Sequence, residues 1–230
     1  MSAIRLRGAT SGTTDVVAAA IAGDGVMTLP PGTGTLATEA SVATAKAEAI
    51  AAGIAGGGLV AVAPTSIANS GGSASTTGNT TTFTGVTALS LNGIFSATYL
   101  NYLALIVVTP TASSQYMRSR LRLSGVDATG ANYDMQQVEF FSGTTSANIL
   151  TNQTSWRTCF LATDGDTCIT IEFYRPDTSA NTLFKTNSAQ PTEAIFGGGD
   201  HDLATAYDGL TIYPDTGTIT GTITVYGYAK

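Results

Sequence analysis

The chain has 230 residues, a formal net charge of −6 and a charged fraction of 11 %, well below the roughly 25 % of ordinary soluble proteins. Its Lys and Arg residues are dispersed and form no basic run, so nucleic-acid binding is not predicted. No apolar stretch approaches the eighteen or so residues of a membrane span, and the N-terminal region lacks the apolar core of a secretory signal. We therefore expect folding in a cytoplasm, without membrane insertion.

Residues 1–35 are rich in Gly and Thr and poor in large apolar side chains. Ile4 to Leu6 alternates like a strand. Val26 to Leu29 predicts another short strand, which stops at Pro30 because proline cannot donate to a sheet ladder. Such a segment is too small to form a core of its own. We expect it to be an anchor that needs the surface of a partner.

Residues 36–55 predict a single long helix, begun by Thr38 as N-cap and ended by the glycines that follow. Its apolar residues are spaced alternately four and three apart, which is the heptad pattern of helices that pack along one another. An alanine-rich helix of this length is marginal alone in water. The alternatives are a self-associating coil and a helix packed on its own domain, and the absence of a second predicted helix favours the coil. The predicted coil core is Leu36, Ala40, Ala43, Ala47, Ile50 and Ile54.

Residues 56–82 are predicted to be a linker or neck with Gly56 to Gly58 as a joint, and their Thr-rich alternation favours an ordered strand over disorder. From residue 83 to residue 230 the pattern is β throughout. Turn residues separate eight to ten predicted strands, which is typical of an antiparallel sandwich, and we expect a jelly roll. The fold class is therefore mainly β. The main predicted strands are Val86–Leu91, Tyr102–Thr109, Tyr116–Ser124, Tyr133–Phe141, Ser155–Ala162, Cys168–Tyr174, Thr182–Lys185, Gly209–Tyr213 and Ile219–Tyr228.

Two of these strands carry notable patterns. Tyr102–Thr109 is a nearly continuous apolar run, as expected of a strand buried on both faces. In Tyr116–Ser124 strict alternation places Arg118, Arg120 and Arg122 on one face. These arginines are expected to pair with Glu139 and Asp134 or with a second subunit; the alternative is recognition of an acidic ligand such as a sugar acid.

Candidate chemistry is sparse. Cys159 and Cys168 are expected to be buried free thiols, and the alternative is that they face each other across a hairpin. The single histidine, His201, is expected in a loop, hydrogen-bonded to a neighbour, and a metal site on a symmetry axis is the alternative. A glycosidase needs two acids across a cleft, and no pair is marked by its context among Asp134, Glu139, Glu172, Glu193, Asp200, Asp202 and Asp208. We predict no enzyme activity, no catalytic residue, no metal and no cofactor.

Two groups of short motifs carry a resemblance to known proteins. Ser11 to Thr14, Val26 to Pro30 and Gly34 to Leu36 resemble the N-terminal module of tailed-bacteriophage fibre proteins, in which a small β unit precedes a trimeric coiled coil. A second group is similar to the jelly-roll heads of phage virion structural proteins, including those of phages that infect cyanobacteria and marine bacteria. Its members are 64–72, 83–86, 95–99, 118–122, 207–210 and 221–228.

The resemblance implies a homotrimeric virion fibre or spike, assembled in the bacterial host cytoplasm. Its N-terminal segment would bind another virion protein, and its head would adhere to the host surface, for which a glycan is the candidate partner. The alternative is a capsid decoration or cement protein that stabilises the head lattice. Three loops, at 110–115, 142–154 and 176–181, are expected to share one end of the sandwich. The residues predicted to face a receptor there are Ser113, Gln115, Asn148, Asn152, Asp177 and Asn181.

Overall fold

The structure, a computed structural model, describes residues 3–7, 13–17 and 58–229. The chain divides into two compact units. In the first unit, β1 (Ala3–Arg7) and β2 (Thr13–Val17) form an antiparallel pair, so the strand predicted around Ile4 is confirmed. The predicted coil, with its core Leu36 to Ile54, and the rest of the predicted anchor lie outside the described residues.

The second unit is made of strands throughout, and residues 58–229 contain no helix. In the described part of the chain there is accordingly no helix that could cross a membrane. The strands are β3 (Leu59–Val62), β4 (Ser66–Ser70), β5 (Ser73–Thr77), β6 (Thr80–Val86), β7 (Ala88–Asn92), β8 (Asn101–Pro110), β9 (Gln115–Leu123), β10 (Val126–Asp127), β11 (Tyr133–Phe141), β12 (Thr144–Gln153), β13 (Trp156–Leu161), β14 (Thr167–Tyr174), β15 (Thr182–Ala189), β16 (Glu193–His201), β17 (Gly209–Pro214) and β18 (Ile219–Tyr228).

These strands form two antiparallel sheets. The large sheet has the order β12-β11-β16-β15-β14-β8-β18-β6-β5, with β3 also paired to β18. The small sheet has the order β10-β9-β17-β7-β4, with β13 also paired to β9. The stretch 59–82, predicted as a neck, contributes β3, β4, β5 and the start of β6 to these sheets.

One continuous core takes side chains from the inner faces of both sheets, which is consistent with a β-sandwich. Trp156 lies at its centre, fully buried, with its ring stacked on Phe184 at 4.2 Å between centroids. The Trp156 indole N–H donates to the carbonyl of Asp200 at 3.1 Å, so its polar atom is satisfied inside the core. Burying a large apolar side chain contributes roughly 1.5–3 kcal/mol, which makes this inner layer the main source of stability.

The predicted arginine face exists, but its partners differ from those predicted. Arg118 forms an ion pair with Asp215, and the Arg120 Nε donates to the carbonyl of Thr154 at 3.0 Å. Arg122 is buried and paired with Asp127, and it also donates to Ser90, Asn92 and Thr211. Neither Glu139 nor Asp134 takes part, because both lie on β11 in the other sheet. These contacts hold the small sheet together and leave the arginines engaged within the chain.

Two predicted environments were wrong. Cys159 is buried as predicted, but Cys168 is exposed, and both thiols are free. Strand β8 is buried on one face only, because Leu105 and Val107 remain 39 % and 41 % exposed in the described chain.

Candidate functional site

The outward face of the large sheet is best described as rows of side chains that cross the strands. Residues directly opposite each other in an antiparallel ladder lie on the same face, so the strand registers define each row. One row runs from Leu103 through Glu172, Lys185 and Gly198 to Gln136. The next row runs from Asn101 through Tyr174, Leu183 and Asp200 to Asp134. We call these two the polar rows.

A gap in the polar rows, here called the Gly198 hollow, occurs where β16 has no outward side chain. Gly198 lies between Lys185 and Gln136, both of which are exposed. A Cβ built on Gly198 would lie 3.0 Å from the Phe184 carbonyl oxygen, so a larger residue would require local movement. The hollow has a volume of about 490 Å³ on the β11 side, where Ile149 and Thr151 form its wall, and about 430 Å³ on the side of Tyr174 and Lys185. These volumes fall in the range of small-molecule sites.

Two carboxylates lie side by side at one end of the hollow. Asp134 and Asp200 are directly opposite each other on β11 and β16. Like charges in this arrangement destabilise a sheet, so the pair is a cost that stability alone does not explain. Asp134 accepts a hydrogen bond from the Asn152 backbone amide at 2.6 Å, and Asp200 accepts one from the Asn181 side-chain amide at 3.3 Å. Both acids keep further acceptor capacity, because an ionised carboxylate has about four lone-pair sites.

Tyr174 and Lys185 form the opposite wall of the hollow. The Tyr174 hydroxyl donates to Glu172, and this hydrogen bond, assisted by partial burial, raises the pKa of Tyr174 to about 12. The phenol therefore stays neutral at ordinary pH. The Lys185 ammonium lies 5.5 Å from the centroid of the Tyr174 ring, a distance at which a cation and an aromatic face attract each other. The wall thus offers a fixed aromatic surface and a group that donates hydrogen bonds.

Together these groups suit a polyhydroxylated ligand. The carboxylates and the Gln136 carbonyl accept hydrogen bonds from hydroxyls, and Lys185 donates them. Tyr174, Ile149 and Leu183 provide the apolar surface against which the C–H face of a sugar ring can pack. Two acids against one lysine favour a neutral or amino sugar over an acidic one.

The structure separates the predicted receptor-facing residues. Asn152 and Asn181 adjoin the Gly198 hollow through Asp134 and Asp200, and Asp177 lies in the turn that precedes β15 at the same end of the sheet. Ser113 and Gln115 lie at the opposite end, where Gln115 is buried and bonded to Thr216. The sixth residue, Asn148, is part-exposed within β12 on the inward side, opposite Gln137.

The expected common end for the three loops was therefore wrong, and so was the loop at 142–154. Thr144–Gln153 is strand β12, which pairs with β11 at the edge of the large sheet. Its polar alternation is that of a strand with solvent on one side. Gly198, Gln136, Tyr174 and Lys185 were not predicted as site residues. The signal that marks them is the position of three consecutive glycines inside a strand, which indicates close approach of another backbone or a ligand.

His201 is fully buried and not in a loop, since it ends β16 and its ring lies 4.4 Å from that of Tyr133. Its Nδ1 is 3.4 Å from the Tyr207 hydroxyl, and its Nε2 has no partner in the described chain. Burial lowers the pKa of His201, so the ring is neutral in the fold. Among the described residues, no three His, Cys, Asp or Glu side chains converge to hold a metal ion.

The comparisons with known proteins are sparse. No family model matches the chain, and no curated protein matches it either. Among solved structures, the chain is similar to a protein of unknown function from Shewanella oneidensis MR-1, at 13 % identity and a TM-score of 0.25. That match covers 76 % of this chain and 80 % of the other.

Proposed function

We propose that this chain is a structural virion protein of a tailed bacteriophage, a homotrimeric fibre or spike whose β head adheres to a saccharide of the host surface. In this proposal the two-sheet unit is a jelly-roll head, residues 36–55 form the trimeric coil, and the N-terminal segment binds another virion protein. The head has no catalytic role. Its adhesive site is the Gly198 hollow.

The observation that carries the adhesive role is the opposed pair Asp134 and Asp200 beside a floor without side chains. A half-buried, unfavourable pair of like charges is retained at the mouth of a hollow of saccharide size, and the flanking Asn152 and Asn181 hold both acids in place. Each site is shallow and would bind weakly. Three such sites on one trimer add through effective concentration, which raises the overall avidity without any new contact.

The test is binding of the full-length protein to an array of neutral, amino and acidic bacterial surface saccharides. We expect binding to neutral or amino sugars, and loss of that binding when Asp134 and Asp200 are both changed to Asn. The matched control is Asp202→Asn, because Asp202 is exposed, follows β16 and has no carboxylate opposite it. Failure of the unmodified protein to bind any saccharide would contradict the adhesive role, as would equal loss in the control.

A capsid decoration protein is the second candidate, and a different observation favours it. The remaining outward rows of the large sheet are uncharged and partly apolar, a surface suited to burial against another protein. Decoration predicts no saccharide binding and a loss of particle stability on removal of the protein. Heating phage particles with and without the protein, and measuring release of their DNA, separates the two candidates.

A further inference from the structure

The two outward rows next to the polar rows differ from them in character. The first row crosses Thr222, Val107, Cys168, Ala189, Ala194 and Phe140. The second row crosses Thr224, Leu105, Thr170, Asn187, Phe196 and Val138. At the two sides of the sheet they continue through Ser, Thr and Ala on β5, β6 and β12. We call these two rows the uncharged band.

The uncharged band exposes large apolar side chains in a contiguous patch. Phe196 is 49 % exposed, Phe140 44 % and Val138 37 %. The rings of Phe140 and Phe196 pack edge to face at 6.0 Å. Leu105 and Val107 line a groove of about 410 Å³ together with the exposed thiol of Cys168. Contiguous apolar surface of this kind marks a protein interface.

Charge identifies the partner that fits this surface. No position in the uncharged band carries a charged residue across nine strands, although the chain has a net charge of −6. Two copies of a chain with that charge repel each other unless they meet where the charge is absent. The outward-facing acids on the strands of the large sheet, Asp134, Glu172 and Asp200, lie in the polar rows and not in the band. Other copies present the same neutral surface, so bands that meet around the three-fold axis of a trimer bring no like charges together.

The area is of the right order for such a contact. Nine strands at about 4.8 Å and two rows at about 6.7 Å give roughly 550 Å² of flat face. A standard interface buries about 800 Å² on each partner. Protruding aromatic side chains and the nearest edge of the polar rows supply the difference. Gly198 lies in the polar row next to the band, whereas Asp134 and Asp200 lie in the row beyond it, so the two acids stay outside a contact made by the band.

From these observations we infer that the uncharged band is a self-association surface through which copies of this chain contact one another within the head. The inference rests on the proposed homo-oligomeric assembly and assigns it a contact separate from the predicted coil. Cys168 and the apolar side chains beside it are then covered in the assembled protein.

The test measures mass and thiol reactivity on the full-length chain. Light scattering gives the mass over a dilution series, and a maleimide reports access to Cys168, while the buried Cys159 serves as an internal folding control. The series is repeated with Ala43→Asp and Ile50→Asp together, so that association through the band is measured without the predicted coil. The band variant, Leu105→Lys with Val107→Lys, is made in that coil-disrupted background. The matched control is Leu123→Lys, which has similar exposure at 43 % but lies on the small sheet.

We expect Cys168 in the assembled protein to react at least about ten-fold more slowly than in the dilute monomer. The band variant should weaken self-association about 100-fold, because it buries unpaired charge at the contact, whereas the control should not change it.

A chain that is monomeric at all concentrations overturns the inference. It is also overturned by an oligomer in which Cys168 reacts freely, or by a band variant of unchanged mass. A monomer with protected Cys168 assigns the band to another segment of the same chain. If the band variant fails to fold, maleimide labelling of Cys168 in the unmodified chain still tests the inference. Failure to bind saccharide in an oligomer of unchanged mass contradicts the adhesive role alone.

Discussion

Replacing Asp200 with Asn tests whether the Asp200 carboxylate lowers the stability of the fold while it contributes to saccharide binding. In the folded sheet, directly opposed side chains have Cβ atoms about 4.5–5.5 Å apart, and a like-charged pair there destabilises by roughly 0.2–1 kcal/mol. Asp200 faces Asp134 in this position, and the one side-chain hydrogen bond that its carboxylate accepts in the described chain, from Asn181, is long at 3.3 Å. The amide oxygen of Asn can still accept that bond. We therefore expect the variant to be more stable by roughly 0.2–1 kcal/mol.

Equilibrium unfolding in urea measures this change. For a unit of this size it corresponds to a rise in melting temperature of roughly 0.5–4 °C. The gain should shrink in 1 M salt, because the screening length falls from about 10 Å at 0.1 M to about 3 Å. Asp202→Asn, which has no opposed carboxylate, should leave the unfolding free energy nearly unchanged.

The same variant should bind saccharide more weakly. A hydrogen bond to a charged acceptor contributes about 1.5–3 kcal/mol, so affinity for the preferred sugar on the array should fall roughly 10- to 100-fold. A variant that is less stable than the parent, or whose gain is independent of salt, would refute the argument that the opposed acids are retained at a cost.

Three further predictions concern the interior. His201→Phe should flatten the fall in stability below pH 6.5, because burial lowers the pKa of His201 in the folded chain and the unfolded chain therefore takes up the proton first. The free energy of unfolding between pH 7 and pH 5 measures this. Parallel pH profiles for parent and variant would contradict it. Arg122→Met should cost roughly 3 kcal/mol, because Asp127 and several hydroxyls lose a buried partner; a neutral result in urea unfolding would refute this role. Glu193→Gln should stabilise the fold at pH 7 but not near pH 3, because burial raises the pKa of Glu193 and its charged form is disfavoured in the fold. The gain is the difference between the unfolding free energies of parent and variant at each pH. A gain that persists at pH 3 would contradict burial of the charge as the cause.

The strands with strong alternation or continuous apolar character were predictable from the sequence. β8, β9, β11, β14 and β18 all fall where the pattern placed them. Alternation does not predict strand β12, because an edge strand with one solvated side needs no apolar alternation and the residues of β12 are mostly polar. Apolar periodicity marks a strand that buries side chains on one face, and an exposed strand buries few side chains.

The Gly198 hollow was not predictable for a related reason. Three glycines in succession are typical of a turn, and only the neighbours on β11 and β15 show that here they form a strand. The opposed acids are 66 positions apart along the chain, so no local motif brings them together. The arginine face was located correctly by alternation, but its partners depend on sheet order, which alternation does not specify.

The position of β18 has a consequence for synthesis. β18 follows all the other strands along the chain, yet it lies between β8 and β6 and also pairs with β3. During translation, β8 and β6 leave the ribosome with no hydrogen-bonding partner between them. At roughly 5–20 residues per second, the ribosome needs on the order of ten seconds to go from the end of β8 at Pro110 to the start of β18 at Ile219. The nascent chain therefore carries two open strand edges for that time, and the large sheet closes late, after β18 has been made.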